Sequence, residues 1–155
     1  MKNYLKLAFL PAILLTSCVH KGEFYLSEKY YTKEASGLLQ DSDFSLIEAA
    51  LNNNESFGAY IYTVGCGVCA KFEPVITEFL KKYDIQFLSP TYQVMKQTDN
   101  PILDHVKYAP GVIIFHEGKY VADLDSNDEK DTDAFNSVNG FTSWVTQYIK
   151  LSLED

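Results

Sequence analysis

The chain has 155 residues, of which 46% are hydrophobic and 14% aromatic, enough for the core of one globular domain with an appendage. Its formal net charge is −8. The lysines form no basic stripe along the sequence. This acidic net charge therefore argues against nucleic acid as a partner and against binding to anionic lipid through a polybasic segment.

The first residues predict an export signal. Two lysines are followed by an apolar run over residues 7–15, which is too short to span a bilayer and is typical of a secretory signal. The run ends in Leu15-Thr16-Ser17-Cys18, which resembles the signal of bacterial lipoproteins. That resemblance implies a signal peptide over residues 1–17, cleavage before Cys18 and a diacylglycerol on its thiol. The alternative is an ordinary secretory signal with an incidental cysteine.

The number of cysteines favours the lipidated form. Three cysteines in an exported protein leave one odd thiol, and lipidation of Cys18 leaves only Cys66 and Cys69. Residues 18–36 are polar and rich in tyrosine, and we interpret them as a tether to a domain over residues 37–155. We therefore expect the mature protein outside the cytoplasm, held by a lipid anchor on a bacterial membrane.

The rest of the chain alternates between strand-like and helix-like patterns. We predict a first edge strand at Tyr30, at Tyr31 or over residues 37–39. In chain order there follow a helix over 44–51, a strand over 57–62, a helix over 70–83, a strand over 85–88, a short helix over 101–106, a hairpin of strands 112–115 and 119–122, and a closing helix over 141–151. This order predicts an α/β sandwich around a central mixed sheet.

The motif Cys66-Gly67-Val68-Cys69 stands between the strand over 57–62 and the helix that follows it. The free N–H groups and the dipole at a helix start favour a negative charge, so a thiol there loses its proton more readily. This position favours Cys66 as the attacking thiolate and Cys69 as the partner that resolves a mixed disulfide.

Two other interpretations of the cysteine pair are a static disulfide and half of a metal site. A metal site needs further ligands, but His20, His105 and His116 are scattered and no second cysteine pair exists in the sequence. We therefore expect no metal.

Three further features make residues 38–151 resemble thioredoxin-like proteins. Pro74 stands eight residues after Cys66, where that family has a helix-kinking proline. Ala109-Pro110 precedes a strand, where the family has a cis-proline facing the disulfide, and the turn at Gly118 resembles the family's strand–turn–strand. The resemblance implies a thioredoxin-like three-layer sandwich and an oxidoreductase that needs no cofactor besides its own redox-active disulfide.

The resemblance also implies a substrate site made of Ala109 and Pro110 together with Gly65, Gly67 and Val68. Because Pro110 has no N–H, the backbone groups of Ala109 stay free to pair with an extended substrate segment beside the cysteines. The alternative for Pro110 is a plain turn before a strand.

The sequence departs from the family's pattern at four positions. Gly65 replaces a tryptophan, Val68 a proline, Gly111 a threonine, and Tyr60 a buried carboxylate that resembles a proton acceptor for the resolving thiol. Glu73 is a substitute acceptor, or else a solvated side chain. The whole set resembles divergent membrane-attached thioredoxins, including accessory proteins of bacteriocin export.

Two functions remain open at this point. One is a lipid-anchored thiol–disulfide oxidoreductase that acts on exported proteins and exchanges electrons with a membrane or extracytoplasmic redox partner. The other is a non-catalytic binding module for exported peptides, in which the disulfide is structural.

The acidic segment over residues 123–133 begins like a calcium loop. It lacks the glycine expected at the sixth position and has Ala134 where the twelfth-position glutamate belongs. We interpret it as a solvated insertion.

Overall fold

A computed structural model describes residues 22–98 and 101–153, so the predicted signal peptide and Cys18 lie outside the described part. The strands are β1 (Gly37–Asp41), β2 (Phe57–Ile61), β3 (Gln86–Pro90), β4 (Gly111–His116) and β5 (Lys119–Asp125). The helices are α1 (Ser45–Asn52), α2 (Gly67–Lys82), α3 (Tyr92–Met95), α4 (Thr132–Asn136) and α5 (Val138–Val145), with single 3-10 turns at Glu28–Tyr30, Pro101–Asp104 and Glu129–Asp131.

The five strands form one mixed sheet in the order β1-β3-β2-β4-β5. Strands β1, β3 and β2 run parallel, whereas β4 is antiparallel to β2 and to β5. The expected α/β arrangement, a mixed sheet flanked by helices, is confirmed. In the register of β2 and β4, Ile61 is opposite Gly111, so the end of β2 meets the start of β4.

Strand β2 forms the centre of the core, and all five of its residues are buried. Phe57 stacks on Phe115 of β4 at 4.7 Å between ring centroids. Gly58 leaves room for the ring of Phe87, which a Cβ at this position would overlap. An unbroken apolar strand is typical of a sheet covered on both faces.

Helix α2 packs on the sheet through one apolar stripe. The buried residues of this stripe are Cys69, Phe72, Ile76, Phe79 and Leu80. Phe72 and Phe79 meet Phe141 of α5 edge to face, at 5.4 and 4.8 Å between centroids. The helix starts at Gly67, three residues earlier than the apolar pattern predicts, and continues through Pro74.

Helix α1 starts one residue later than predicted. Phe44 precedes it in a left-handed conformation with φ of 68°, and its side chain is fully buried. The carboxylate of Asp41 accepts hydrogen bonds from the backbone N–H groups of Leu46 and Ile47 at 3.2 and 3.0 Å. Asp41 therefore caps the start of α1 from the end of the preceding strand.

The closing helix differs from the prediction at both ends. It begins at Val138, where the Ser137 hydroxyl accepts the N–H of Gly140 at 2.9 Å, and ends at Val145 rather than at residue 151. The residues after it pair with the N-terminal segment instead, because Ile149 forms a parallel bridge with Phe24.

The segment that we interpreted as a tether packs on the domain from Gly22 onward. Phe24, Leu26 and Tyr30 are buried, and the ring of Phe24 stacks on His116 at 4.1 Å between centroids. The packed body thus begins at least fifteen residues before β1.

The interpretation of residues 123–133 as a solvated insertion is wrong for both ends of the segment. Its first residues belong to β5, and Asp131 is buried, with its carboxylate accepting the N–H of Asp125 at 3.0 Å. Hydrophobic pattern alone could not find these contacts, because they are made by acidic side chains.

Candidate active site

The loop after β2 delivers the cysteine pair to the start of α2. The N–H of Cys66 donates to the carbonyl of Thr63 at 3.2 Å, which closes the turn between strand and helix. Cys66 and Cys69 form a disulfide with 5.2 Å between their Cα atoms. The two cysteines are therefore brought together as the motif predicts.

Cys66 is the residue that caps α2. Its backbone is extended, and its Sγ accepts the N–H of Cys69 at 3.1 Å. Cys66 is partly exposed, whereas Cys69 is only 4% exposed. In the reduced state the same N–H group would face the Cys66 thiolate, and the helix dipole would add to its stabilisation.

The segment before β4 forms the other wall of the site. The Ala109–Pro110 peptide bond is cis, as the resemblance implies, and Pro110 is buried. The carbonyl oxygen of Ala109 lies 3.9 Å from the Sγ of Cys66. The pairing of Ile61 with Gly111 explains this closeness, because it brings the start of β4 beside the loop that holds Cys66.

The three other residues assigned to the substrate site surround the disulfide. Gly65, Gly67 and Val68 are all exposed, and Val68 keeps 54% of its surface accessible. Gly65 has a φ of 79°, a left-handed conformation that glycine adopts without strain. Gly67 opens α2, and a Cβ added there would have no neighbouring atom within 4 Å, so the approach to Cys66 is open on this side.

Two exposed apolar residues near the disulfide were missed by the sequence reasoning. Val64 is 76% exposed immediately before Gly65, and Tyr108 is 56% exposed immediately before Ala109. Each is the direct sequence neighbour of a residue assigned to the substrate site, and this adjacency is the signal from which they could have been predicted. With Val68 they add exposed apolar surface to the surroundings of the disulfide.

Tyr60 lies beneath the disulfide, in the place where the resemblance expects a carboxylate. It is buried, its hydroxyl donates to the carbonyl of Cys69 at 3.4 Å, and its ring meets Phe72 edge to face. Burial raises the pKa of the Tyr60 hydroxyl far above its ordinary value, and the nearby charge of Glu73 raises it further. Tyr60 is therefore a neutral core residue, and the side chain of Glu73 is exposed on α2.

The cysteine pair has no metal-binding cluster beside it in the described part of the chain. Within residues 22–98 and 101–153, no three or more His, Cys, Asp or Glu side chains are grouped so that they could hold a metal ion. In the same residues, no helix is long and apolar enough to cross a membrane.

No protein-family model matches the chain, and no curated protein matches it significantly in sequence. Solved structures do match it. The thioredoxin NaTrxh from Nicotiana alata superposes with a TM-score of 0.55 at 16% identity, covering 74% of this chain and 95% of that protein.

Two other thioredoxins give similar values. The thioredoxin from Schistosoma mansoni has a TM-score of 0.54 at 17% identity, covering 76% of this chain and 99% of its own. Thioredoxin O1 from Arabidopsis thaliana, in its oxidized state, has a TM-score of 0.53 at 16% identity, with coverage of 74% and 99%. At these identities the likeness establishes the fold, which is that of thioredoxin.

Proposed function

We propose that this thioredoxin-fold protein is a membrane-anchored thiol–disulfide oxidoreductase that acts on proteins outside the cytoplasm. The observation that carries the proposal is the position of the Cys66 Sγ. It accepts a hydrogen bond from the start of α2 at 3.1 Å, and it lies 3.9 Å from the carbonyl of Ala109. Disulfide exchange requires a stabilised thiolate and a place for the substrate chain beside it. The N–H of Cys69 supports the first and the backbone of Ala109 the second.

The exchange starts from the reduced protein. The Cys66 thiolate attacks one sulfur of a substrate disulfide, forming a mixed disulfide and releasing the other substrate sulfur as a thiolate. Cys69 then loses its proton and attacks the Sγ of Cys66, so that the Cys66–Cys69 disulfide forms and the second substrate thiolate leaves. Two electrons pass to the substrate, and a redox partner must return them. The same steps in reverse oxidise a substrate dithiol.

The substrate segment is proposed to lie beside Ala109. An extended segment there can pair with the backbone groups of Ala109 in the manner of an added strand, which places its sulfur next to Cys66. Val64, Val68 and Tyr108 then contact its side chains, and their exposed apolar surface favours a substrate with apolar residues around its cysteine.

The test is chemical. Limiting iodoacetamide should modify Cys66 before Cys69 in the reduced protein, because Cys69 is almost completely buried. The Cys69→Ser variant should accumulate mixed disulfides with substrate, since the second attack is lost, and Cys66→Ser should accumulate none. Faster labelling of Cys69, or trapping only in Cys66→Ser, would reverse the two roles.

The same variants separate the oxidoreductase from a binding module with a structural disulfide. With dithiothreitol as electron source, the wild-type protein should accelerate insulin reduction and Cys66→Ser should not. If both behave alike while a peptide still binds near Ala109, the binding module is the better description.

The anchor is a separate part of the proposal and has its own test. It rests on the likeness of Leu15-Thr16-Ser17-Cys18 to a lipoprotein signal. A fatty-acid analogue fed to cells that express the full chain should label the wild type and spare the Cys18→Ala variant. Equal labelling of the two would remove the anchor from the proposal and leave the redox chemistry unaffected.

A further inference from the structure

The end of the molecule opposite the disulfide carries the entry of the chain into the domain. Helix α2 starts beside Cys66 and runs to Lys82, and its sixteen residues span about 24 Å. Gly22 lies at this far end, because it lines a cleft of about 550 Å³ together with Tyr83, the residue that caps α2. The chain therefore enters the domain about one helix length from the redox-active sulfur.

The surroundings of Gly22 combine tyrosines, aliphatic side chains and lysines. In the cleft, the Nζ of Lys150 lies 4.6 Å from the centre of the Tyr25 ring. Beside it, the Nζ of Lys82 lies 5.0 Å from the centre of the Tyr83 ring. A second cleft of about 380 Å³ shares Tyr83 with the first and adds Lys33. We call the surface made of Tyr25, Tyr83, Lys33, Lys82, Lys150 and Leu151 the lysine–tyrosine face.

The charge on this face differs from that of the whole chain. Lys33, Lys82 and Lys150 have Lys81 as a neighbour on α2. Asp84 lines the second cleft, Glu78 lines a groove with Lys81 and Lys82, and Glu23 and Glu34 follow Gly22 and Lys33 in the sequence. Four lysines are thus balanced by four carboxylates, whereas the chain as a whole has a formal net charge of −8. Folding gathers lysines that are far apart in the sequence, which explains why no basic stripe was visible there.

A cluster of four aspartates lies at the end of β5 that pairs with the start of β4. Asp125 pairs with Gly111, the residue after Pro110, and Asp131 bonds to the N–H of Asp125. Asp123 and Asp128 belong to the same cluster, because both carboxylates raise the pKa of Asp131, for which burial is the largest cause. Lys130 also lies in this cluster and pairs with Asp128 at 2.8 Å, so the cluster holds four aspartates and one lysine and is more acidic than the lysine–tyrosine face.

We propose that the lysine–tyrosine face rests on an anionic lipid surface and holds the disulfide about 24 Å away from it. The inference builds on the proposed anchor at Cys18. The four residues from Cys18 to Gly22 reach at most about 14 Å, so an anchored chain keeps the surface around Gly22 close to the bilayer. Tyrosine rings and lysine side chains suit that position, because rings settle at the headgroup level and ammonium groups pair with anionic headgroups.

This orientation defines the substrate class further. Cysteines that reach Cys66 must belong to protein segments that project about one helix length from the membrane. Thiols at the lipid surface itself face the wrong end of the molecule.

The experiment uses the chain's own lysines as probes. The full-length protein, purified from membranes, is reconstituted on vesicles of phosphatidylcholine and phosphatidylglycerol in a 3:1 ratio (about 25% anionic lipid, enough for a negative surface potential). A water-soluble amine-reactive ester then acetylates it, and mass spectrometry follows each lysine. We expect Lys33, Lys82 and Lys150 to react several-fold more slowly than on pure phosphatidylcholine vesicles. Lys71 and Lys107, exposed near the disulfide, should react equally on both and serve as matched controls.

Each other outcome overturns the proposal. Equal reaction of all five lysines, or protection of Lys71 and Lys107 instead, would contradict the proposal that the lysine–tyrosine face lies against the membrane. Protection that is the same without vesicles would assign the face to contact with another protein molecule, and protection that is the same on phosphatidylcholine would remove the role of anionic lipid. Protein that does not float with the vesicles would count against it equally. Insulin reduction on the same preparation keeps the redox function separate, since activity without protection overturns only the orientation.

Discussion

At the scale of single residues, the feature that distinguishes this site is the neutral side chain beneath the disulfide. Tyr60 is buried and burial raises the pKa of its hydroxyl, so it stays protonated throughout the range in which thiols react. It cannot take the proton that Cys69 must lose before it attacks. In the proposed exchange that proton goes to solvent, to the departing substrate thiolate or to Glu73, whose side chain is exposed on α2.

A second residue, Asp131, gives a prediction about pH. Burial, followed by the carboxylates of Asp128 and Asp123, raises the pKa of Asp131 above its ordinary value of 3.8. A raised native pKa means that the native state binds the proton more tightly than the unfolded state. The stability that this adds is fully present below pH 3.8 and is lost as the pH rises through the native pKa. Asp131→Asn keeps an oxygen for the N–H of Asp125, so we expect it to lack this loss and to equal or exceed the wild type in stability at pH 7.

Urea unfolding at several pH values between 3.5 and 7 (about the span over which such a carboxyl titrates) measures this effect. Asp128→Asn is the control with opposite sign, because the hydrogen bond from Lys130 lowers the pKa of Asp128. Its stabilising share is present above the ordinary pKa and is lost on acidification. A steeper loss of stability toward pH 7 in Asp131→Asn than in the wild type would contradict the assignment.

At the scale of elements, helices α4 and α5 approach closely because Gly140 has no side chain. A Cβ at this position would overlap the carbonyl group of Asp133 in α4 and lie 3.0 Å from the Ser137 hydroxyl. This contact lets Phe135 and Phe141 both reach Phe72 of α2, at 4.7 and 5.4 Å between ring centroids. The pair of short helices thus acts as one cover for the active-site helix.

The corresponding prediction is that Gly140→Ala destabilises the protein. The overlap is with backbone, so α4 and α5 must separate, and overpacking of this kind costs about 1–3 kcal/mol. Gly67→Ala is the matched control, since Gly67 also lies in a helix but a Cβ there would have no neighbouring atom within 4 Å. We expect that variant to be unchanged or stabilised by up to about 1 kcal/mol. Urea unfolding with the disulfide intact measures the free energy of unfolding of both variants. Equal values would contradict the close approach of α4 and α5 at Gly140.

The elements that the sequence predicts well are those with long hydrophobic patterns. Strand β2 and helix α2 were found because one is continuously apolar and the other carries a regular stripe, and both are buried as those patterns indicate. Helices α3 and α4 were missed, because four or five residues are too few for a period to appear and their packing is decided by distant partners. Phe135, for example, is ordered by Phe72, more than sixty residues earlier.

The candidate site divides in the same way. The motif and the resemblance placed Cys66, Cys69, Ala109 and Pro110 in one site, and the structure brings these four residues together. The exposed apolar residues around them were not found, because a hydrophobic side chain in a loop can be buried or exposed and only tertiary packing decides which.

At the scale of the whole molecule, the N-terminal segment and the last residues complete each other. Gly22 donates to the carbonyl of Thr146 at 2.7 Å, and Lys150 donates to the carbonyl of Phe24 at 2.8 Å. These bonds join the start of the domain to the residues after α5, which explains why neither a free tether nor a helix through residue 151 is observed. They also fix Gly22 at the end of the molecule that is opposite the disulfide.

This closure has a consequence for how the chain matures. The segment around Phe24 is made early in synthesis, but its partners Thr146 and Ile149 are made almost last. These contacts cannot form until Thr146 and Ile149 have been synthesised. Until then the region nearest the proposed lipid attachment lacks the bonds that hold Gly22 and Phe24 to the end of the chain.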